Sequence, residues 1–122
     1  RRIGWIDLVQ LRQAVRVNGL TDIVLTKLDI LNGLKEIKAC IGYEVEEKVV
    51  KEMPASLTTF RKAKPIYKTL SCWDSLPEEI WKKGFKSLPD SLKSYIDFIE
   101  SEINCDVSIV SVGPQRHETI IR

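Results

Sequence analysis

Leu25-Thr26-Lys27-Leu28-Asp29 runs from an apolar stretch into a Thr-Lys-x-Asp turn. A short carboxylate at the mouth of a strand, two residues after a lysine, suits guanine. It can accept two parallel hydrogen bonds, from the ring N–H and the exocyclic amine. Adenine offers neither donor on that edge. Each charge-assisted bond contributes roughly 1.5–3 kcal/mol, enough for the pair to set base choice. The Lys27 stem can cover the base face and add about 1 kcal/mol of cation–π attraction. Ser111-Val112-Gly113-Pro114 also follows a strand-like run. Small residues there would let a planar ligand approach the backbone, and a hydroxyl or N–H could meet a base oxygen. Arg1 and Arg2 precede Ile3 and Trp5, and paired arginines suit phosphate or carboxylate. On spacing alone each of these has a plainer description: a solvated strand-end turn, an ordinary turn and a solvated terminus.

The flanking pattern supplies the elements that would hold such groups. Asp7 can cap a helix over 7–18, stopped by Gly19, with Leu8, Leu11, Val15 and either Val9 or Ala14 on its apolar stripe. Ile23-Val24-Leu25 reads as a buried strand feeding the Lys27–Asp29 turn, with Asn32-Gly33 in the loop beyond. Ile37, Ala39, Ile41, Tyr43 and Val45 alternate strictly, which predicts a half-buried strand; Glu46-Glu47 turns it into a short partner at Val49-Val50. Residues 53–64 read as loop plus a helical turn, and 65–70 as a strand opened by Pro65. Ser75-x-x-Glu78 predicts a capping box for a short helix ending at Gly84. A longer helix runs from Pro89-Asp90 to Ile103, buries Leu92, Tyr95, Ile96, Ile99 and Ile103, and stops at Asn104. Strands at 107–110 and 119–121 close the chain. With no repeat or low-complexity linker, the pattern is one α/β unit.

Composition narrows the function classes. The 122 residues are 43% apolar and 30% charged, an ordinary soluble mix. A net charge of +2 is too small to argue for nucleic acid or an anionic membrane. No apolar run approaches the roughly 20 residues of a membrane span, and no signal-peptide pattern is present. Cys40, Cys72 and Cys105 are widely spaced and, with one histidine, have no metal-ligand spacing; they read as reduced thiols. Trp73 and Trp81 read as packing residues, and His117 as a surface histidine in a charged segment. There is no Gly-rich phosphate loop. The residues amount to half a nucleotide site, a base pocket without a phosphate cradle. Arg1-Arg2 at the start reads as a chain cut from something longer.

Four stretches, in order and from end to end, carry a resemblance: Arg1-Arg2-Ile3-Gly4-Trp5-Ile6-Asp7; Asn18-Gly19-Leu20-Thr21 with 25–31; Tyr67-Lys68-Thr69-Leu70 with Trp73; and Ser111-Val112-Gly113-Pro114 with Glu118-Thr119. Together they resemble the C-terminal part of adenylosuccinate synthetases, of the short archaeal type. The resemblance implies an α/β fold, the C-terminal portion of a P-loop-NTPase-like architecture, with mixed sheet strands, packed helices and a β-hairpin. It implies a cytoplasmic, GTP-dependent ligase of purine biosynthesis that joins IMP to L-aspartate, giving adenylosuccinate, GDP and phosphate on the route to AMP. It places GTP contacts on Arg1, Lys27, Leu28, Asp29, Ser111, Val112 and Gly113, with Val112 where the family often has Thr. It further implies a homodimer with no nucleic-acid or membrane partner. The family's Gly-Asp-Glu-Gly-Lys-Gly segment is absent from this sequence. With it are missing the catalytic Asp and His, most of the IMP pocket and the Mg2+ site, which belong to the N-terminal part of the enzyme. The chain alone is therefore expected to be inactive. A competing expectation is a non-catalytic assembly module that docks on another chain.

Overall fold

The computed structural model describes residues 3–122. The chain first forms a two-residue strand β1 (Ile6–Asp7), which the sequence pattern did not suggest. Asp7 then caps helix α1 (Leu8–Asn18), its carboxylate accepting from the N–H groups of Val9 at 3.0 Å and Gln10 at 3.2 Å. Gly19 ends that helix in the left-handed conformation (φ 62°), where a side chain is disfavoured. Strand β2 (Asp22–Leu25) follows, then β3 (Ile37–Val45) and β4 (Lys48–Val50). β3 and β4 form the expected hairpin, with Glu46 and Glu47 both at positive φ, as a two-residue turn requires. Helix α2 (Leu57–Lys62) is capped by Ser56 and leads into β5 (Lys64–Leu70). Helix α3 (Glu78–Trp81) and a 3-10 turn precede α4 (Asp90–Ile103), and β6 (Asp106–Ser111) and β7 (Thr119–Ile121) complete the chain.

These strands form two sheets. In one, β5 pairs antiparallel along β3, while β1 (parallel) and β4 (antiparallel) pair with successive stretches of β3. In the other, β2 and β6 run parallel and β7 pairs antiparallel with β6. The main core draws on both sheets: Leu8 from α1, Ile37 and Ala39 from β3, Val107 and Val110 from β6, and Ile120 from β7 all join it. The α4 stripe of Leu92, Tyr95, Ile96, Ile99 and Ile103 is fully buried there, as its helical spacing predicted. Arg12 ties α1 to the rest, donating to the Glu102 carbonyl at 2.8 Å and the Lys51 carbonyl at 2.6 Å and pairing with the Glu102 carboxylate.

Three local expectations require correction. Strand β2 is not buried: Val24 is 54% exposed, and Ile23 and Leu25 are only half-buried. β3 does not alternate strictly: the pairing with β5 slips between Cys40 and Gly42. Ile37, Ala39 and Ile41 face the main core, but past this bulge Tyr43 and Val45 join Cys40 in a second cluster with Val9. An extra residue in one strand reverses the phase of every side chain beyond it. The Ser75 capping box does not form either. Helix α3 starts only at Glu78, with Pro77 at the cap position and no side-chain bond to its first turn.

Candidate functional site

The register of the parallel pair decides where the suspected site residues lie. Leu25 of β2 stands opposite Val110 of β6, so the two strands end together. The Thr26–Asp29 turn and the 111–113 loop therefore leave neighbouring carboxyl ends of parallel strands. That edge is where α/β sheets bind ligands. A backbone bond joins the two segments directly, the Leu28 N–H donating to the Ser111 carbonyl at 3.3 Å. Two stretches more than eighty residues apart in sequence are thus brought together, as a shared base pocket needs.

Within the turn the three residues have different roles. Leu28 is 1% exposed and its side chain belongs to the main core, so it anchors and does not face a ligand. Lys27 is exposed and Asp29 half-buried on either side of that anchor. Lys27 holds a left-handed backbone, φ 60°, which costs an L-residue about 1 kcal/mol and concentrates at functional turns. The far side of the turn is fastened to the segment after β5. The Trp73 indole N–H donates to the Leu28 carbonyl at 3.2 Å, the Gly33 N–H to the Trp73 carbonyl at 3.0 Å, and the Cys72 thiol to the Leu31 carbonyl at 3.0 Å. The Trp73 ring is buried against Tyr95 of α4, with ring centroids 5.3 Å apart. Burial pushes the Tyr95 hydroxyl up to about pKa 12.

The second loop is organised by its own groups. Val112 is 4% exposed with its side chain in the core, and its N–H donates to the Glu118 carbonyl at 2.9 Å. The Ser111 hydroxyl donates to the Gly113 carbonyl at 3.0 Å. Gly113 was expected to leave room for a planar ligand. Instead, a Cβ built there would collide with the Glu118 carboxylate, which also accepts from the Gln115 N–H at 2.6 Å. Glu118 is the loop's organiser, and sequence reasoning missed it; its place in the Ser111 to Glu118 motif was the available signal. An aliphatic residue at 112 fits because the position is a core position.

Arg1 lies outside the described residues. His117 is exposed, directly precedes Glu118 in the second loop, and packs on Trp81 of α3 with ring centroids 6.0 Å apart. Among the described residues no cluster of three or more His, Cys, Asp or Glu side chains could hold a metal ion.

A family model described as adenylosuccinate synthetase matches residues 1–120. The chain belongs to the adenylosuccinate synthetase family. The adenylosuccinate synthetase of Caldanaerobacter subterraneus subsp. tengcongensis is 44% identical over 121 residues, covering 99% of this chain and 28% of that protein. That of Geobacter sulfurreducens is 46% identical over 121 residues, with the same 99% and 28% shares. Among solved structures, the fully ligated adenylosuccinate synthetase from Plasmodium falciparum has a TM-score of 0.86 at 30% identity, covering 98% of this chain and 28% of that one. The chain thus spans 28% of the length of the relatives it matches. The expected α/β adenylosuccinate synthetase fold is the one observed. These relatives lend no support to the short archaeal type. No helix among the described residues is long and apolar enough to cross a membrane.

Proposed function

We propose that this chain is the guanine-recognising C-terminal portion of an adenylosuccinate synthetase, the GTP-dependent ligase that joins IMP to L-aspartate in the AMP branch of purine biosynthesis. Residues 1–122 act as a single α/β unit. Asp29 accepts the two donors of the guanine edge and rejects adenine by leaving its carboxylate unpaired. Lys27 lays its stem along the base. Leu28 sets the height of the turn from within the core. Ser111, Val112 and Gly113 form the opposite wall; the Ser111 hydroxyl and the Val112 N–H are engaged within the loop, which leaves the Gly113 N–H to meet a base oxygen. Arg1 meets the GTP or aspartate side. The single observation carrying this reading is the Leu28–Ser111 bond, which unites the two segments at the ends of parallel strands.

Phosphoryl transfer, magnesium and most of the IMP pocket belong to the N-terminal part of the same enzyme. This chain's contribution is to hold and orient the nucleotide by its base. Exposed Ile30 and Leu34, just past the Asp29 turn, line a cavity of about 420 Å³ with Ile3, Trp5 and Tyr67. An apolar cavity beside the turn suits packing against that remaining part. The intact enzyme works as a cytoplasmic homodimer without nucleic-acid or membrane partners.

The test is adenylosuccinate formation by the full-length enzyme containing this segment. Product should accumulate with IMP, aspartate and GTP, and at least a hundredfold more slowly when ATP replaces GTP, the loss of about 3 kcal/mol of charge-assisted bonding. Equal rates with the two nucleotides would remove the guanine-reading role.

A further inference from the structure

We infer that Trp73 is a positioning residue for base recognition, holding the Asp29 carboxylate in place through the Leu28 carbonyl. The inference rests on the Asp29 assignment above and extends it to a residue that touches no ligand. Trp73 is 2% exposed, and a buried indole N–H must find an acceptor. The acceptor here is the carbonyl of the peptide that leads into Asp29, at 3.2 Å.

Peptide groups are planar, so fixing the Leu28 oxygen fixes the Asp29 nitrogen in the same plane. The preceding plane is fixed as well, because the Leu28 N–H donates to Ser111 at 3.3 Å. The Leu28 side chain is locked in the core between them. Asp29 is left with only its own backbone and side-chain torsions to explore. Trp73 grips the same loop a second time, where its carbonyl accepts from Gly33 at 3.0 Å, with Gly33 in the left-handed conformation at φ 74°. The ring is braced by Tyr95, so this support is carried by the core and not by another loop. A carboxylate meant to meet two donors in parallel needs such orientation, because a small rotation costs one of the two bonds.

The test replaces Trp73 in the full-length enzyme by benzothienylalanine, which keeps the ring shape but has sulfur in place of the N–H. Trp73→Phe serves as a second variant. The readout is the preference for GTP over inosine triphosphate, which keeps the ring N–H but lacks the exocyclic amine. If Trp73 positions Asp29, KM for GTP rises about fivefold, the value of one ordinary hydrogen bond, while KM for IMP is unchanged. The preference for GTP over inosine triphosphate narrows by a similar factor. A residue that only stabilised the core would lower the active fraction and leave that preference as in the wild type, and such a result overturns the inference. Asp29→Asn is run beside it. If that variant collapses the preference and the Trp73 variants do not, the positioning role fails alone. If Asp29→Asn itself leaves the preference intact, the base-reading assignment fails and the Trp73 role with it.

Discussion

Replacing Asp29 with asparagine changes one oxygen for an amine and leaves the size of the side chain unaltered. On the proposed reading the carboxylate accepts from two guanine donors; the amide would keep one acceptor and turn a donor toward a donor. Charge-assisted bonds contribute roughly 1.5–3 kcal/mol each. Asp29 is half-buried, so water competes and the lower figure applies. Losing both amounts to about 3 kcal/mol, close to a hundredfold in KM for GTP. KM for IMP should not move, because nothing in the turn is assigned to that substrate. The same chemistry predicts a gain. Xanthosine triphosphate carries a carbonyl where guanine has its amine, and the new amide can donate to it. The variant should therefore use xanthosine triphosphate better than the wild type does. The assay is steady-state adenylosuccinate formation by the full-length enzyme, with GTP, IMP and xanthosine triphosphate varied in turn. A KM for GTP within about twofold of wild type, with no gain for the xanthine nucleotide, would refute the base-reading argument.

Three further changes probe the surrounding frame. Lys27→Gly should raise stability by about 1 kcal/mol in denaturant melts by relieving the left-handed backbone, yet weaken GTP about fivefold by removing the stem over the base. Gly113→Ala should destabilise the protein by about 1 kcal/mol, since the new methyl displaces the Glu118 carboxylate from the Gln115 N–H. In a Glu118→Ala background the same change should be close to neutral, which a double-mutant cycle reads directly. Tyr95 keeps its proton in the folded chain up to about pH 12, while the ordinary tyrosine value that the unfolded chain keeps is 10.0. Between those values the unfolded chain binds fewer protons, so stability falls as pH rises. Denaturant midpoints from pH 9 to 11.5 should fall more steeply for the wild type than for Tyr95→Phe.

Much of this arrangement was legible in the sequence because it rests on local signals. The α4 stripe, the left-handed Asn104 stop and the Asp7 cap follow from spacing and capping chemistry, and all three are present. The phase change in β3 was not legible, because a bulge depends on how β5 pairs and not on the strand's own residues. The Ser75 cap failed for a related reason. Pro77 stands at the cap position and the helix begins one residue beyond it, so Ser75 lies too far upstream to cap the first turn. At the site, the Thr-Lys-x-Asp turn marked its charged residues from sequence alone. That it abuts Ser111 required the parallel register of β2 and β6, which no local pattern encodes. The grip of Trp73 on Leu28 and the seat of Glu118 against Gly113 are likewise long-range or side-chain matters, visible only once the chain is folded.

A crystal structure of the full-length enzyme with a bound guanine nucleotide is the most direct test of the central claim. Both Asp29 oxygens should lie about 2.7–3.0 Å from the ring nitrogen and the exocyclic amine, with the Leu28–Ser111 bond intact beneath them. A nucleotide whose base sits elsewhere, or an Asp29 side chain pointing into solvent while the base is ordered, would contradict it.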